Sequence, residues 1–483
     1  MIRQHPVTII KSNYKYYLLL LLPLIRGVVF SWQGLYIWLR GAWFDLLILA
    51  LIFMLGFARW YFYCIWAEED RLIIEGGILN VKYTSLDLSK ISSVMASRSF
   101  FLRLLGVSYI RIDADAAIGR KRGLVLTLKS RDAHNIYESI AGEDKTKETD
   151  DCDITQQEYE AYNPKRFPLA ALAFFNSDSF AGLLFGYTLF SQSGKILGSE
   201  WESQTIGFLT RTAHMIAFGF PPTMAVVAYA LLAGWLISFL ILFLRYRKFN
   251  VSRHGDKIVI NLSFIRSYKY SLSVCRINAV FFRQTLLTKL MRLTAVFIHC
   301  AKYGAYKNEL SLLIPFENKT KARNISSVIL PEIKSCKKTV SAGSCKRFVI
   351  PSVIYTAINT AMLVTTAVIS FPYDDIAVFI LLMLLVWNLW KLVVNILAYK
   401  HTGLGACDDI LTLYYLKGSV FVTAAIPESR VSKIVIKQNL FQKKSGLCNV
   451  VVYSYAEKAL RHKIAGVPHD RAKDVLLLSR SAG

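Results

Sequence analysis

The sequence predicts an α+β membrane protein: three transmembrane helical hairpins, each followed by a small antiparallel, partly closed β module that ends in a helix. Three observations predict it. Of the 483 residues 54% are hydrophobic and only 19% charged, with a mean hydropathy of +0.37, whereas a soluble domain carries about 25% charge. Six long apolar stretches occur in pairs. The polar segment after each pair repeats the previous one. A chain with 13% aromatic residues in long apolar blocks is not disordered. Lysine and arginine number 58 against 33 acidic residues, a net charge of +25, so the polar parts face an acidic partner, with anionic lipid and nucleic acid as the two classes.

The apolar pairs come first in each copy. Crossing a hydrocarbon layer of about 30 Å takes roughly 20 helical residues, and backbone groups in that layer must satisfy one another, so the blocks read as helices. The pairs are Tyr17–Trp38 with Trp43–Trp66, Pro168–Phe190 with Pro222–Leu244, and Phe348–Ser370 with Ile376–Ala398. Trp32, Trp38, Trp43, Trp60, Trp66 and Tyr399 cluster at their ends as interface anchors. Arg3, Lys11 and Lys15 precede the first run, but no small-x-small cleavage site follows promptly, so it reads as a retained segment and not a signal peptide. Short turns at Leu39–Ala42 and Phe371–Asp375 make helical hairpins. Basic residues crowd the outer flanks (Lys11, Lys165, Arg166, Arg245, Arg247, Lys248, Lys346, Arg347, Lys400), while Asp374 and Asp375 occupy a turn. That bias puts the termini and large polar segments in the cytoplasm.

The β modules follow. Arg71–Ile112 aligns without a gap on Lys257–Ile298, with Ile73 on Val259, Ile91 on Ile277 and Ile110 on Val296; in the third copy Leu413, Val431 and Val450 take those positions. Alternating apolar residues mark half-buried strands, Glu75-Gly76-Gly77 and Lys417-Gly418 mark turns, and helical spacing closes each copy at Ala133–Ile140, Ala322–Ile333 and Arg471–Leu478. Curling and that last helix are expected to protect the sheet edges. The resulting division is hairpin 1–67, module 68–141, acidic linker 142–166, hairpin 167–247, module 248–335, hairpin 336–399 and module 400–483.

The strand–"EGGIL"–strand pattern, then "LDLSKISSVMASRSFFLRLLGVSYIRI" and a terminal helix, resembles the bacterial pleckstrin-homology-like domain. The alternation of hairpins and such modules along nearly the whole chain resembles the YdbT-like multi-pass membrane proteins. The third copy shares it through "IPESRVSKIVIKQNLFQKKSGLCNVVV", and the second departs most, with Arg292 where the first has Gly106. The resemblance implies a PH-like bent β-barrel or sandwich with a C-terminal helix at the cytoplasmic membrane, and no catalytic motif.

Two groups of residues are site candidates. Basic residues in and after the strands could face anionic headgroups or a partner: Arg98, Arg103, Arg111, Arg120, Lys121 and Arg122 in the first copy; Arg283, Lys289 and Arg292 in the second; Lys437, Lys443 and Lys444 in the third. Each contributes about 1 kcal/mol near an anionic leaflet, although a merely solvated face would look the same. Polar residues within the spans are Arg26, Arg59, Asp178, Asn388 and Asn395; such groups are costly in lipid and mark sites or helix–helix bonds. Asp178 could pair with Arg26 or Arg59. The eight cysteines form no CxxC or zinc spacing and read as free thiols in a reducing compartment. GxSxG, GxxxxGK[ST], HExxH and GxGxxG motifs do not occur. The reading is therefore a non-enzymatic scaffold without cofactor, metal or nucleic acid, binding a protein partner, inner-leaflet lipid or both, with a smaller PH-like membrane protein as one candidate partner. A transporter or lipid-handling bundle is the alternative.

Overall fold

A computed structural model describes the chain except residues 1, 12, 14–15, 18–34, 69–70, 78–80, 115–123, 142–158, most of 179–221, 264–265, 301–302, 304–309, 343–344, 371–374, 408, 456–459 and 482–483. The described elements fall into three runs of the same order. The first has β1 (Ile2–Arg3), α1 (Leu35–Tyr61), β2 (Cys64–Ala67), β3 (Arg71–Gly76), β4 (Lys82–Asp87), β5 (Ile91–Ser99), α2 (Phe100–Leu104), β6 (Val107–Ala114), β7 (Leu124–Lys129) and α3 (Ser130–Ala141). The second has β8 (Tyr159–Tyr162), α4 (Arg166–Asn176), α5 (Pro222–Tyr246), β9 (Asn250–His254), β10 (Lys257–Leu262), β11 (Arg266–Ser273), β12 (Ile277–Gln284), α6 (Leu286–Leu290), β13 (Leu293–Cys300), β14 (Leu312–Asn318) and α7 (Lys319–Ile329). The third has β15 (Val340–Ser341), α8 (Cys345–Ser370), α9 (Asp375–His401), β16 (Gly403–Cys407), β17 (Ile410–Lys417), β18 (Val420–Pro427), β19 (Val431–Lys437), α10 (Leu440–Lys443), β20 (Leu447–Ser454), β21 (Leu460–Pro468) and α11 (His469–Ser481).

A short strand before the helical part of each repeat pairs with the first strand after it: Ile2↔Ile65, Tyr162↔Val251 and Val340↔Leu404. Antiparallel clasps of this kind bring both ends of a hairpin to one sheet edge. In the third clasp the backbones approach so closely that a Cβ on Gly405 would collide with the Lys337 carbonyl, and one on Gly403 with the Val340 carbonyl. The same clasp joins Cys336 to Cys407 in a disulfide with Cα atoms 5.8 Å apart. Sequence reading had left these as free thiols; a separation of 71 residues hides a contact that only the strand pairing creates.

The chain divides into two compact units. The first holds residues 1–158, 254–261 and 265–276. Its core packs Ile65, Leu72, Ile74 and Leu86 of one sheet against Val94, Ile110, Ile112, Leu126 and Leu128 of a second, with Ala133, Ile136, Tyr137 and Ile140 of α3 closing the open side. The second sheet does not end at β5. It continues into the next repeat through β11, from Arg266↔Ser99 to Leu272↔Ser93, in the order β7-β6-β5-β11-β10. The second unit holds 159–253, 262–264 and 277–483 and repeats the device: β12 pairs with β18 from Val280↔Ala425 to Gln284↔Phe421, within the order β14-β13-β12-β18-β17-β16-β15. A three-stranded sheet β19-β20-β21 ends the chain. The expectation that each module curls upon itself is corrected here: adjacent repeats share sheets, because a paired edge satisfies a row of backbone groups that curling would leave open.

Three helix boundaries also differ from expectation. The turn at Leu39–Ala42 is helical, inside α1; Gly41 alone, without proline or a cap, costs a helix only about 1 kcal/mol. The run Pro168–Phe190 is not continuous, since α4 stops at Asn176 and Ser177 is extended. The Asn176 amide donates to the Leu172 carbonyl (2.9 Å) and the Ser177 hydroxyl to that of Phe174 (3.1 Å), local bonds that compete with the helix. The linker is shorter than expected, because Tyr159–Tyr162 is the clasp strand β8. Long helices α1, α5, α8 and α9 have 27, 25, 26 and 27 residues. At 1.5 Å per residue each reaches about 40 Å. Among the described residues one stretch, Met383–His401, meets both length and composition for crossing a membrane, beside shorter apolar stretches at Leu47–Tyr61, Ala230–Tyr246 and Val353–Ile369.

Candidate anion-binding site at the second seam

In every repeat a one-turn helix follows the first strand of the second sheet: α2, α6 and α10. Each is followed by a left-handed residue, Gly106 (φ 63°), Arg292 (φ 58°) or Gly446 (φ 65°). The carbonyl of that residue accepts the N–H of the repeat's terminal helix, from Ser130 (2.8 Å), Lys319 (3.1 Å) and His469 (2.9 Å) respectively. Arg292 is therefore first a turn residue, and its exposed side chain is carried by a backbone conformation that favours glycine.

These tips gather many of the predicted basic residues. Arg103, Lys289, Arg292, Lys443 and Lys444 all belong to them, and Lys437 ends the strand leading into α10. Each tip also exposes leucine, with Leu104 at 74%, Leu290 at 82% and Leu440 at 83%. Sequence reading missed these leucines because a one-turn apolar helix looks like core. An exposed leucine thus stands beside a cation at all three tips.

The α6 tip is built furthest. Thr285 and Thr288 cap it reciprocally, the Thr288 N–H donating to Thr285 Oγ1 (3.3 Å) and the Thr285 N–H to Thr288 Oγ1 (2.7 Å). Leu286 packs into a cluster with Trp390, Val394, Leu397 and Ala398 of α9 and Phe421 of β18, so the tip lies at the foot of α9. Lys289 Nζ stands 3.8 Å from the centroid of the Phe421 ring, a cation–π contact. Beside it a cavity of about 50 Å³ is lined by Phe282 and Gln284 of β12, Thr294 of β13, Lys319 and Arg323 of α7, His401 of α9, Tyr414 of β17, and Phe421 and Thr423 of β18. One water needs roughly 10–15 Å³ measured this way, so a compact oxyanion has room.

Among the described residues no carboxylate lines the cavity. Burial pushes the Lys289 ammonium down to about 8, with Lys319 and Lys338 adding to the effect. Burial also lowers Lys319, helped by Arg323, and lowers Lys338. The Lys338 ammonium donates to the carbonyls of Lys400 (2.9 Å) and Thr402 (3.4 Å), which fixes the hairpin base beside the cavity. The buried Glu317 is engaged elsewhere, accepting from Lys321 (2.9 Å) and from the Tyr162 hydroxyl (3.0 Å). Cations crowded into low dielectric, with no acidic group among the described lining residues, form an arrangement that an oxyanion would relieve. Lys319, Arg323, Lys338 and His401 were not among the predicted residues. One signal was available: Lys319 and Arg323 stand four apart at a helix start, where both their mutual repulsion and the helix dipole oppose them.

Other candidates lie apart from this site. Arg283 projects from the other face of β12 over Phe297, 4.5 Å from the ring centroid. Arg98 donates to Ser108 Oγ (2.6 Å) at the first seam. Arg111 is buried and bonded to Asp113 (3.0 Å), which removes it as a surface contact. Arg120, Lys121, Arg122 and Arg26 lie outside the described residues. Arg59 is exposed in the last turn of α1, in the first unit, and Asp178 is exposed in the second, its backbone N–H donating to Ser238 Oγ (3.0 Å). Asn388 donates from α9 to the Thr356 carbonyl (3.2 Å) and Thr360 Oγ1 (3.1 Å) of α8, the helix–helix bond its position implied. Asn395 is half-buried one face-repeat further along α9.

The triple order of elements, the two packed sheets and the closing helix meet a family match over residues 17–144, 205–332 and 349–482, described as bacterial PH domain. The chain belongs to the bacterial PH domain family. Each matched segment takes in hairpin residues as well as the module after them, which agrees with the clasp strands in treating both as one repeat. The chain is also similar to the UPF0699 transmembrane protein YdbT of Bacillus subtilis (strain 168), with 20% identity over 416 residues, 81% of this chain and 79% of that protein. A membrane protein built on repeated bacterial PH domains is thus the setting of the second-seam site.

Proposed function

We propose that the protein is a non-enzymatic scaffold that crosses the cytoplasmic membrane six times and holds its three bacterial PH domains against the inner leaflet, with an anionic lipid headgroup bound at the second seam. The α6 tip is the observation that carries this reading: exposed Leu287 and Leu290, the cations Lys289, Lys319, Arg323 and Lys338, and an acid-free cavity meet at the foot of α9. Burying a leucine side chain is worth about 1.5–3 kcal/mol and each nearby cation about 1 kcal/mol at an anionic leaflet. A tethered domain therefore needs only one such tip to be held in a defined orientation. The clasp strands support the hairpin topology by returning each hairpin to the sheet edge it left. Asn388 makes a helix–helix bond, the role that a scaffold asks of a polar residue in a span.

Hydrogen exchange on the full chain in nanodiscs tests the lipid arm. In discs containing phosphatidylglycerol, Leu286–Arg292 and Lys319–Arg323 should exchange at least tenfold more slowly than in phosphatidylcholine discs. Equal exchange in both refutes headgroup binding. Labelling of a cysteine introduced at Asp374 from outside intact cells tests the topology, and access from the cytoplasm alone refutes it.

A further inference from the structure

The two seams join equivalent positions in the same register. Ile91, Ile277 and Val431 are one repeat position. On that alignment Val94↔Ser271 of the first seam and Val280↔Ala425 of the second are the same pair. The strand that gives the seam its first side is β5 in repeat one, β12 in repeat two and β19 in repeat three; the strand that receives it is β11 in repeat two, β18 in repeat three and β4 in repeat one. Four of these six are used within the chain. Among the described residues β19 pairs only with β20, and β4 only with β3.

Burial follows this usage. Ile91–Met95 and Ile277–Phe282 are buried in their seams. At the matching strand β19, Lys433 and Lys437 are exposed and Ile434, Val435 and Ile436 only partly covered. On β4, Lys82, Tyr83 and Ser85 are exposed, Tyr83 at 71%. One end of the array therefore offers a donor edge, and the other offers the receiving edge that this donor's two sister strands already engage. Polar character does not set these edges apart, since the first seam itself buries Ser92, Ser93 and Ser271.

We propose that β19 of one chain adds to β4 of a second copy, continuing the seam between molecules with Ile434 opposite Ser85 and Ile436 opposite Tyr83. Main-chain hydrogen bonds supply such strand addition and the alternate side chains supply its register. The contact is head-to-tail, so it builds a ring if the rotation closes and a filament if it does not. Lys433 within β19 and Lys437 at its end make the edge unattractive to arbitrary strands and leave register as the selector.

The test uses the full chain in detergent and in native membranes. Chains carrying Ser85→Cys and chains carrying Ile434→Cys are mixed and mildly oxidised. Directly opposed Cβ atoms lie about 4.5–5.5 Å apart, and diagonal ones about 7 Å. A covalent dimer should therefore form in the mixture, not with either variant alone, and at least fivefold less with Tyr83→Cys in place of Ser85→Cys. Light scattering should show the 54.8 kDa chain rising to multiples of that mass with concentration. Ile434→Pro and, independently at the other edge, Ser85→Pro should each return it to one chain. A single-chain mass at every concentration overturns the proposal. So does association that survives both prolines, a cross-link that forms only within one doubly substituted chain, or a different protein occupying either edge.

Discussion

Replacing Lys289 by methionine separates the site's chemistry from the stability of its frame. The change keeps the unbranched chain near Phe421 but removes the charge. Loss of the cation–π contact costs about 0.5–1 kcal/mol, and release of a half-buried ammonium from crowding by Lys319 and Lys338 acts against it and is the larger effect below pH 8, so at neutral pH the variant should be no less stable than the wild type. Binding has no such offset: one hydrogen bond between an ammonium and an oxyanion contributes about 1.5–3 kcal/mol, or about 10- to 150-fold in affinity. Titration with glycerol phosphate, read by intrinsic fluorescence, should show that loss. Proton linkage adds a sharper mark. The ammonium lies near 8 in the fold against 10.5 in the open chain, so between those values the unfolded state binds the proton that the folded state has shed. Stability of the free protein must therefore rise with pH from about 8 to 10.5 and be lower below 8. Lys319 and Lys338 shift the same way and add to the slope. Saturating anion should hold the ammonium protonated and flatten the slope, and Lys289→Met should remove its larger part. A flat wild-type profile over that window, or an unchanged slope in the variant, refutes the reasoning.

Three further outcomes follow from the geometry. Arg292→Gly should raise stability by about 0.5–1 kcal/mol by relieving a left-handed residue, and Gly106→Ala should lower it by about 1–2 kcal/mol; chemical denaturation of the two variants checks the opposite signs. Gly405→Ala should cost about 1–3 kcal/mol, because its methyl group meets the Lys337 carbonyl in the third clasp; faster exchange of the Val340 and Leu404 amides would locate the damage there. Asn388→Ala should weaken the α8–α9 pair by about 0.6–1.7 kcal/mol, measurable as a lower midpoint in mixed-micelle unfolding.

Repetition was the most legible feature of the sequence. The ungapped match of Ile73, Ile91 and Ile110 to later copies rests on core positions, and all three copies fold alike. Local patterning also found the strands, because alternation reports burial on one face. Pairing between repeats left no such trace: β5 reads as an edge strand from its own residues, Ser92, Ser93 and Ser97 among them, and is covered only because β11 arrives from the next copy. The clasp strands escaped for a different reason. Two to four residues such as Val340–Ser341 are too short for any period to appear. At the site, Lys289 was legible as a charge, but its partners Lys319 of α7, Lys338 of the segment before β15 and His401 of α9 meet only in the fold.

The seams explain why such a cavity forms in the second repeat and not in the third. A tip becomes a cavity wall only where the next repeat docks against the strand that carries it. At the second seam β18 supplies Phe421 and Thr423, and the following hairpin supplies His401, to a tip already carrying Lys289. The third tip, with Leu440, Lys443 and Lys444, has the same beginnings, and among the described residues no strand docks against β19 to complete it. Its leading strand β19 is the open donor edge. If a second copy docks there through β4, it brings its own counterparts of β18 and of the residues around it, with Tyr83 at the place of Thr423. Association and the creation of another composite pocket would then be a single event, and variants at Ile434 that block the one should abolish anion binding at the third tip while leaving the Lys289 site unchanged.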